Sequence, residues 1–296
     1  MEIPVSPASV LSLSPEEADR LLGALERSVP VHPPFVSVPS GRAGSAIVFG
    51  DSHGDWRSIL EAAALFLRAK GNTLFIGLGD YIDRAPDDCG EGSVANALYL
   101  LSLASKFPDR VLLLQGNHET SRRVPAFPHL LPEEVDALWG PDVERYARLM
   151  GLLERGPVAA ATESGVYLAH AGFPRRLAAK WPDTYANLDD EALCEVVWAE
   201  ADASRSRRGG ALAWNRADLD RFLATTGLSV FLRGHDPDLC GRPLYQGRCL
   251  TLHTTRIYER FGGVIAASVP LTSPVQSVAQ VSIHHLSTEG RSFPPP

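Results

Sequence analysis

Three times in this sequence an apolar run ends in glycine, followed at once by a residue able to ligate a metal. The segments are Gly50-Asp51-Ser52-His53-Gly54, Gly79-Asp80-Tyr81-Ile82-Asp83-Arg84 and Gly116-Asn117-His118-Glu119. Two later apolar runs lead into Ala169-His170-Ala171-Gly172 and Arg233-Gly234-His235. The donors are carboxylates, an amide oxygen and imidazoles, with no thiolate. That mix suits Mn²⁺, Fe or Zn²⁺ in a reactive site better than structural zinc. Asp51 and His53 are two apart, so in extended chain both point to one side and grip one ion. Asp80 has two oxygens and is able to bridge two ions. Two ions about 3.5–4 Å apart clamp an in-line displacement and lower the pKa of a shared water, making hydroxide available near neutral pH. Arg84 and Arg208 are candidate bidentate partners for phosphate oxygens. His118 is a candidate proton donor to a leaving alkoxide, with Asp83 holding its other ring nitrogen.

These residues need elements that bring them together. Ala46–Phe49, Thr73–Leu78 and Val111–Gln115 read as short buried strands, and Ile59–Ala69 and Val94–Phe107 as helices between them. Strand–loop–helix alternation of this kind predicts an α/β arrangement, in which ligands collect beyond the carboxyl ends of the strands. In the second half, helices are expected over Glu144–Glu154 and Asp218–Thr226. Shorter-spaced strands are expected at Val158–Ala161, Val166–Ala169, Val230–Arg233, Cys249–His253, Gly263–Ala267 and Ser277–His284. That spacing suggests more antiparallel sheet. Two sheets packed face to face with helices outside reconcile the halves. Residues 1–44 read as an N-terminal extension: a helix opening at Ser14-Pro15-Glu16-Glu17, then a connector kept extended by Pro30, Pro33, Pro34 and Pro39. Residues 45–286 form the expected catalytic domain and 287–296 a Pro-rich tail.

Composition narrows the field. The chain has 296 residues, 45% of them hydrophobic and 21% charged, with a net charge of −7. A nucleic-acid partner is not expected, because the only dense basic cluster is Arg205, Arg207 and Arg208. No apolar run approaches the roughly 18 residues a membrane span requires, and no signal peptide is apparent. A cytoplasmic location is the expectation. The four cysteines are too sparse for a disulfide scaffold. Cys240 and Cys249 are placed to face each other across a hairpin, but reduced thiols are the better reading. His253 reads as structural, and the five tryptophans as packing residues.

The series Gly-Asp-Ser-His-Gly, Gly-Asp-Tyr-Ile-Asp-Arg, Gly-Asn-His-Glu, His-Ala-Gly and Arg-Gly-His, in that order, resembles the phosphoprotein phosphatase family of serine/threonine phosphatases over roughly Ala46 to Ser268. The resemblance implies a four-layer α/β/β/α metallophosphoesterase fold, with two mixed sheets flanked by helices. It implies two divalent metal ions, Mn²⁺ first and Fe or Zn²⁺ as alternatives. One is held by Asp51, His53 and Asp80, the other by Asp80, Asn117, His170 and His235. It assigns Arg84, Asn117 and His118 to phosphate and Asp83 to the support of His118. Trp198-Ala199-Glu200 with Arg207-Arg208-Gly209 resembles the region that supplies a second phosphate arginine, best matched by Arg208.

The chain departs from the family at Ala85, where glycine is usual, and at Ala171. His253-Thr254-Thr255-Arg256-Ile257-Tyr258 stands where eukaryotic members carry Ser-Ala-Pro-Asn-Tyr, with Tyr258 in the place of the tyrosine that closes the site. These departures favour a bacterial or archaeal type and leave the groove rim, and so the substrate, open. The expected activity is hydrolysis of phosphoserine and phosphothreonine monoesters, with phosphotyrosine and small phosphate esters as further substrates. Hydrolysis of dinucleoside polyphosphates or of phosphodiesters is the alternative. An inactive phosphoprotein-binding module is the alternative of another class, and the full set of competent ligand residues speaks against it.

Overall fold

The computed structural model describes residues 6–69, 72–204 and 212–286. Arg208, with Arg205 and Arg207, lies outside the described residues.

The chain opens with a one-turn helix α1 (Pro7–Val10) and helix α2 (Pro15–Ser28). A capping box starts α2: Ser14 Oγ accepts from the Glu17 N–H at 3.3 Å, and Glu17 Oε2 accepts from the Ser14 N–H at 2.9 Å. Ala18, Leu21, Leu22 and Leu25 recur at helical spacing and are fully buried. The connector expected after α2 contains a strand, β1 (Phe35–Val38), bound in parallel to a later one. The prolines keep this stretch extended, and a neighbouring strand then uses it.

The body alternates as the apolar runs require: β2 (Ser45–Phe49), α3 (Trp56–Arg68), β3 (Thr73–Gly77), α4 (Gly92–Lys106) and β4 (Val111–Leu113). Helices α5 (Leu131–Trp139) and α6 (Val143–Leu153) precede β5 (Ala159–Thr162) and β6 (Val166–Ala169). Then come α7 (Asp190–Val197), the two-residue strands β7 (Glu200–Ala201) and β8 (Ala213–Trp214), α8 (Arg216–Thr226), β9 (Val230–Arg233), β10 (Cys249–Thr251), α9 (Glu259–Gly262), β11 (Ile265–Pro270) and β12 (Ser282–His285). Helices α5 and α7 have no counterpart in the sequence reading. The final strand is shorter than expected, because a 3₁₀ turn at Val278–Gln280 occupies its first half.

Among the described residues these strands form two five-stranded sheets, in the orders β1-β5-β6-β9-β10 and β12-β11-β2-β3-β4, and a small parallel pair, β7-β8. The sheet built mainly from the second half is more parallel than expected. Only β5 and β6, joined by a tight turn, pair antiparallel in it; β1–β5, β6–β9 and β9–β10 are parallel. Helices α7 and α8 lie between β6 and β9 and provide the long crossover a parallel pair needs.

Side-chain alternation divides the core into three slabs. Ala46, Val48, Leu74 and Ile76 face Val166, Leu168, Leu232 and Leu250 between the sheets. Ile47, Phe49, Phe75 and Val111 point the other way, under helices α2 to α6. Tyr167, Phe231 and Cys249 pack under α7 and α8. The result is helix, sheet, sheet, helix. Each fully buried Leu, Ile or Phe contributes about 1.5–3 kcal/mol. All four cysteines are free, and Cys240 and Cys249 are buried without a bridge. No helix among the described residues is long and apolar enough to cross a membrane.

Candidate active site

Strands β2, β3 and β4 are mutually parallel, so their carboxyl ends share one edge. Strands β6, β9 and β10 are parallel in the other sheet and end beside them. Six loops therefore meet there: those carrying Asp51 to His53, Asp80 to Arg84, Asn117 and His118, His170, His235, and His253 to Tyr258. Backbone bonds knit them. The Ser52 and His53 N–H groups donate to the Asp80 carbonyl at 3.0 and 2.9 Å, and the Gly234 N–H donates to the His170 carbonyl at 2.8 Å.

Local backbone shape explains the glycines. A Cβ on Gly234 would lie 2.0 Å from Asp51 Oδ1, and one on Gly116 would lie 2.3 Å from Asp80 Oδ1. Only glycine lets these chains come so close to the carboxylates. The residues that follow bear strain instead. His53, Asp80, Asp83, Arg84 and His235 have φ of 42°, 57°, 65°, 58° and 72°. Left-handed backbone at non-glycine residues costs about 1–3 kcal/mol each and collects at functional sites. The extended geometry expected to align Asp51 with His53 is thus corrected: a left-handed turn at His53 aligns them.

The expected metal ligands converge, each no more than 2% exposed. His53 Nδ1 faces the Ile82 carbonyl at 3.0 Å, which makes that nitrogen the donor and leaves the Nε2 lone pair inward. Nε2 lies 3.9 Å from Asp51 Oδ2 and 3.6 Å from Asp80 Oδ2. On the other side, His170 Nδ1 faces the Leu78 carbonyl at 3.0 Å. His170 Nε2 lies 3.4 Å from Asp80 Oδ2, 2.9 Å from Asn117 Oδ1 and 3.2 Å from His235 Nδ1. Asp80 Oδ2 therefore stands between two donor groups. Its other oxygen accepts from the His118 N–H at 3.1 Å, while Asp51 accepts from the His235 N–H at 3.0 Å.

Electrostatics fit cations at this place. Burial raises Asp51, whose charge finds too little compensation. Burial acts the same way on Asp80, but His170 and His118 outweigh it and hold the group well below the carboxylate range. Burial lowers His53 to about 4. It would lower His170 too, but Asp80 and then Asp51 lift that imidazole to about 9. Two buried carboxylates, an amide and inward imidazole nitrogens form a donor set that fits a pair of divalent ions.

The residues expected to meet phosphate lie beside it. Arg84 Nη1 donates to Tyr258 Oη at 3.1 Å and lies 3.5 Å from His53 Nε2, while Nη2 donates to the Phe127 carbonyl at 3.1 Å. Tyr258 thus stands at the site, its ring edge-on to His53. His118 Nδ1 is 2.5 Å from Asp83 Oδ2. His118 Nε2 is buried without a hydrogen-bond partner and lies 4.0 Å from Asp80 Oδ2. Burial would lower His118, but Asp80 and the Asp83 hydrogen bond overcome it and raise the group.

Several residues at the site carried no role in the sequence reading. Glu119 closes the third motif: its carboxylate accepts from the Asp80, Tyr81 and Gly116 N–H groups at 2.7, 2.8 and 2.9 Å and so binds two loops together. Burial, then Asp80, raises it to about 7. His253 Nδ1 lies 3.4 Å from Asp51 Oδ2, and Trp198, read as a packing residue, is edge-on to His235. Arg256 holds the Tyr258 loop to Asp55, its backbone N–H donating to Oδ2 at 2.8 Å and Nη2 to Oδ1 at 2.9 Å. Asp55 sits two residues beyond His53, a spacing that could have marked it.

The calcineurin-like phosphoesterase family profile matches residues 45–239. The chain belongs to this family. Among calcineurin-like relatives, the serine/threonine-protein phosphatase 4 catalytic subunit of Kluyveromyces lactis is 26% identical over 232 residues, covering 74% of this chain and 72% of that protein. A protein phosphatase 2A catalytic subunit of Dictyostelium discoideum is 27% identical over 240 residues, covering 77% of this chain and 74% of that protein. The fold is that of a Saccharomyces cerevisiae protein serine/threonine phosphatase. That structure superposes with a TM-score of 0.70 at 19% identity, covering 98% of this chain and 92% of that one. The phosphoprotein phosphatase resemblance and the four-layer fold therefore hold.

Proposed function

We propose that this calcineurin-like enzyme is a dinuclear-metal phosphatase that hydrolyses phosphoserine and phosphothreonine monoesters in proteins. The observation that carries the metal reading is the position of Asp80 Oδ2, 3.6 Å from His53 Nε2 and 3.4 Å from His170 Nε2. Asp51, His53 and Asp80 would hold one ion, and Asp80, Asn117, His170 and His235 the other. Mn²⁺ is the first assignment by donor type, with Fe or Zn²⁺ next. Two such ions, when bound, supply charge stabilisation and a nucleophilic water.

The chain's own groups do the rest. Arg84, steadied by Tyr258 and the Phe127 carbonyl, presents its guanidinium to the phosphate, and the Asn117 amide helps orient it. Arg208 is the proposed second arginine. His118 delivers the proton from Nε2 to the departing oxygen, while Asp83 keeps the proton on Nδ1 and the ring in place. The protein substrate rests on the relatives named above. Free thiols fit a reducing, cytoplasmic compartment.

A panel tests the substrate class: phosphoseryl, phosphothreonyl and phosphotyrosyl peptides, diadenosine tetraphosphate and a phosphodiester, each with the Mn²⁺-loaded protein. The proposal expects the highest kcat/KM on the phosphoseryl or phosphothreonyl peptides. A preference for the dinucleotide or the diester would overturn it.

A further inference from the structure

Asp83 is shared. Its Oδ2 is 2.5 Å from His118 Nδ1 and 3.0 Å from His129 Nδ1. Its Oδ1 accepts from the Leu130 and Leu131 N–H groups at 2.6 and 3.0 Å. An ionised carboxylate offers about four acceptor sites and donates nothing, so both imidazole Nδ1 atoms donate and Asp83 is saturated. Burial would raise Asp83, but these two histidines hold it far below the usual carboxylate range. Beyond His129 the chain of contacts continues, with Nε2 2.9 Å from Tyr146 Oη and the two rings edge-on. His129 precedes α5 and Tyr146 lies on α6, so two helices of the outer layer brace the carboxylate that braces His118.

We propose that His129, held by Tyr146, is a positioning residue that fixes Asp83 and through it the aim of His118 at the leaving oxygen. The inference rests on the reading of His118 as proton donor. The physical case is one of freedom. Two backbone N–H groups pin Oδ1, but a carboxylate pinned at one oxygen can still swing about that point. His129 grips the second oxygen, the same one that meets His118. His118 then has one position in which its Nδ1–H meets Oδ2, and its Nε2 faces Asp80 at 4.0 Å. Asp83 itself is at φ 65°, a conformation that needs such bonds to hold it. His129 touches none of the proposed metal ligands, so its loss separates aim from metal binding.

The test compares wild type with His129→Leu, His129→Asn and Tyr146→Phe, using aryl phosphates from 2,4-dinitrophenyl to phenyl phosphate. Metal content and melting temperature are measured on each protein. Asparagine places an amide N–H near the Nδ1 position, so it keeps the bond to Asp83 and loses only Tyr146. A positioned general acid is worth about 10²–10⁴-fold, and loss of one of the three bonds that anchor Asp83 beside His118 removes part of that. His129→Leu is expected to lower kcat on phenyl phosphate about tenfold, with KM and kcat on the dinitrophenyl ester within about twofold, since that leaving group needs little protonation. His129→Asn restores most of the loss, and Tyr146→Phe shows a smaller loss of the same leaving-group dependence. If His129→Leu fails to fold, the Tyr146→Phe comparison decides. A loss equal on every ester, or no loss, overturns the inference. Proton NMR of the Zn²⁺-loaded protein separates this from the phosphatase reading. Beside the Nδ1–H resonances of His53 and His170, downfield resonances are expected from the His118 and His129 Nδ1–H groups bonded to Asp83, and His129→Leu removes one of this pair and moves the other. An unmoved resonance overturns the inference even in an active enzyme. The expected shift in a protein inactive on every ester would sustain the anchoring of Asp83 and His118 and sink the phosphatase reading instead.

Discussion

Arg256 ties the loop that carries Tyr258 to the first motif, and its removal has a calculable effect. The guanidinium reaches Asp55 through Nε and Nη2 and Asp88 through Nη1 and Nη2, with distances of 2.8–3.2 Å. The Asp55 carboxylate is fully buried, whereas Asp88 is half-exposed. The Asp88 bonds are therefore worth little. In Arg256→Met, Asp55 keeps the Ser58 N–H, the Ser58 hydroxyl and the Arg256 backbone N–H, but loses its cation. Breaking a buried pair from one side costs about 3–5 kcal/mol. Because the Arg256 side chain is 20% exposed, we take the lower end, about 3 kcal/mol. An unfolding entropy of about 2.1 cal/mol/K per residue over 296 residues converts this to a fall of about 5 °C in Tm. A double-mutant cycle with Asp55→Asn, read by urea denaturation, isolates the pair. A coupling of at least about 2 kcal/mol is expected. Arg84 also loses its fixed Tyr258 partner, so KM for a phosphate ester should rise. A coupling below about 0.5 kcal/mol, the noise of such cycles, would refute the reasoning.

Two further perturbations test other parts of the account. Leu22→Ala opens a cavity beneath α2 and should cost about 2–5 kcal/mol with KM unchanged; a changed KM at unchanged stability would instead make the N-terminal helix a gate. Burial holds Glu134 protonated up to about pH 7, against an ordinary value of 4.5. The folded chain then binds more protons than the unfolded one between pH 4.5 and 7, so this group's contribution is fully present below that window and is lost as pH rises through it. Glu134→Gln should flatten the fall in urea-derived stability from pH 5 to pH 8; an unaltered slope removes Glu134 as its source.

Much of this site was legible because each ligand follows a short apolar strand and a glycine, a local pattern. Asp51, Asp80, Asn117 and His235 read that way, His170 follows its strand directly after Ala169, and the parallel pairing of these strands brings the residues together. The start signal Ser14-Pro15-Glu16-Glu17, a cap serine followed by proline and two acids, likewise marked the opening of α2 at Pro15. What did not show was long-range. His129 meets Asp83 across 46 residues and Arg256 meets Asp55 across 201, through loops without periodicity. Helix α5 carried usable signals, Pro132 with two acids in its first turn and Leu131, Val135 and Trp139 at four-residue spacing, but its cap position is Leu130, which offers no capping side chain to mark the start. The left-handed backbone at His53, Asp80, Asp83, Arg84 and His235 also left no sign, since these residue types rarely adopt it without tertiary support. The second sheet was misjudged because strand spacing reports loop length and not strand direction.

The proposed role of Asp80 is as a ligand to both metal ions, which would together drive phosphate ester hydrolysis. Its most direct test is p-nitrophenyl phosphate hydrolysis by chelator-stripped protein, before and after Mn²⁺ is added. Metal content is measured alongside, with Asp80→Asn in parallel. The account predicts no activity when stripped, full activity at two ions per chain, and both loss of activity and fewer bound ions in Asp80→Asn. Activity that survives chelation, or an Asp80→Asn protein as active as wild type, would contradict it.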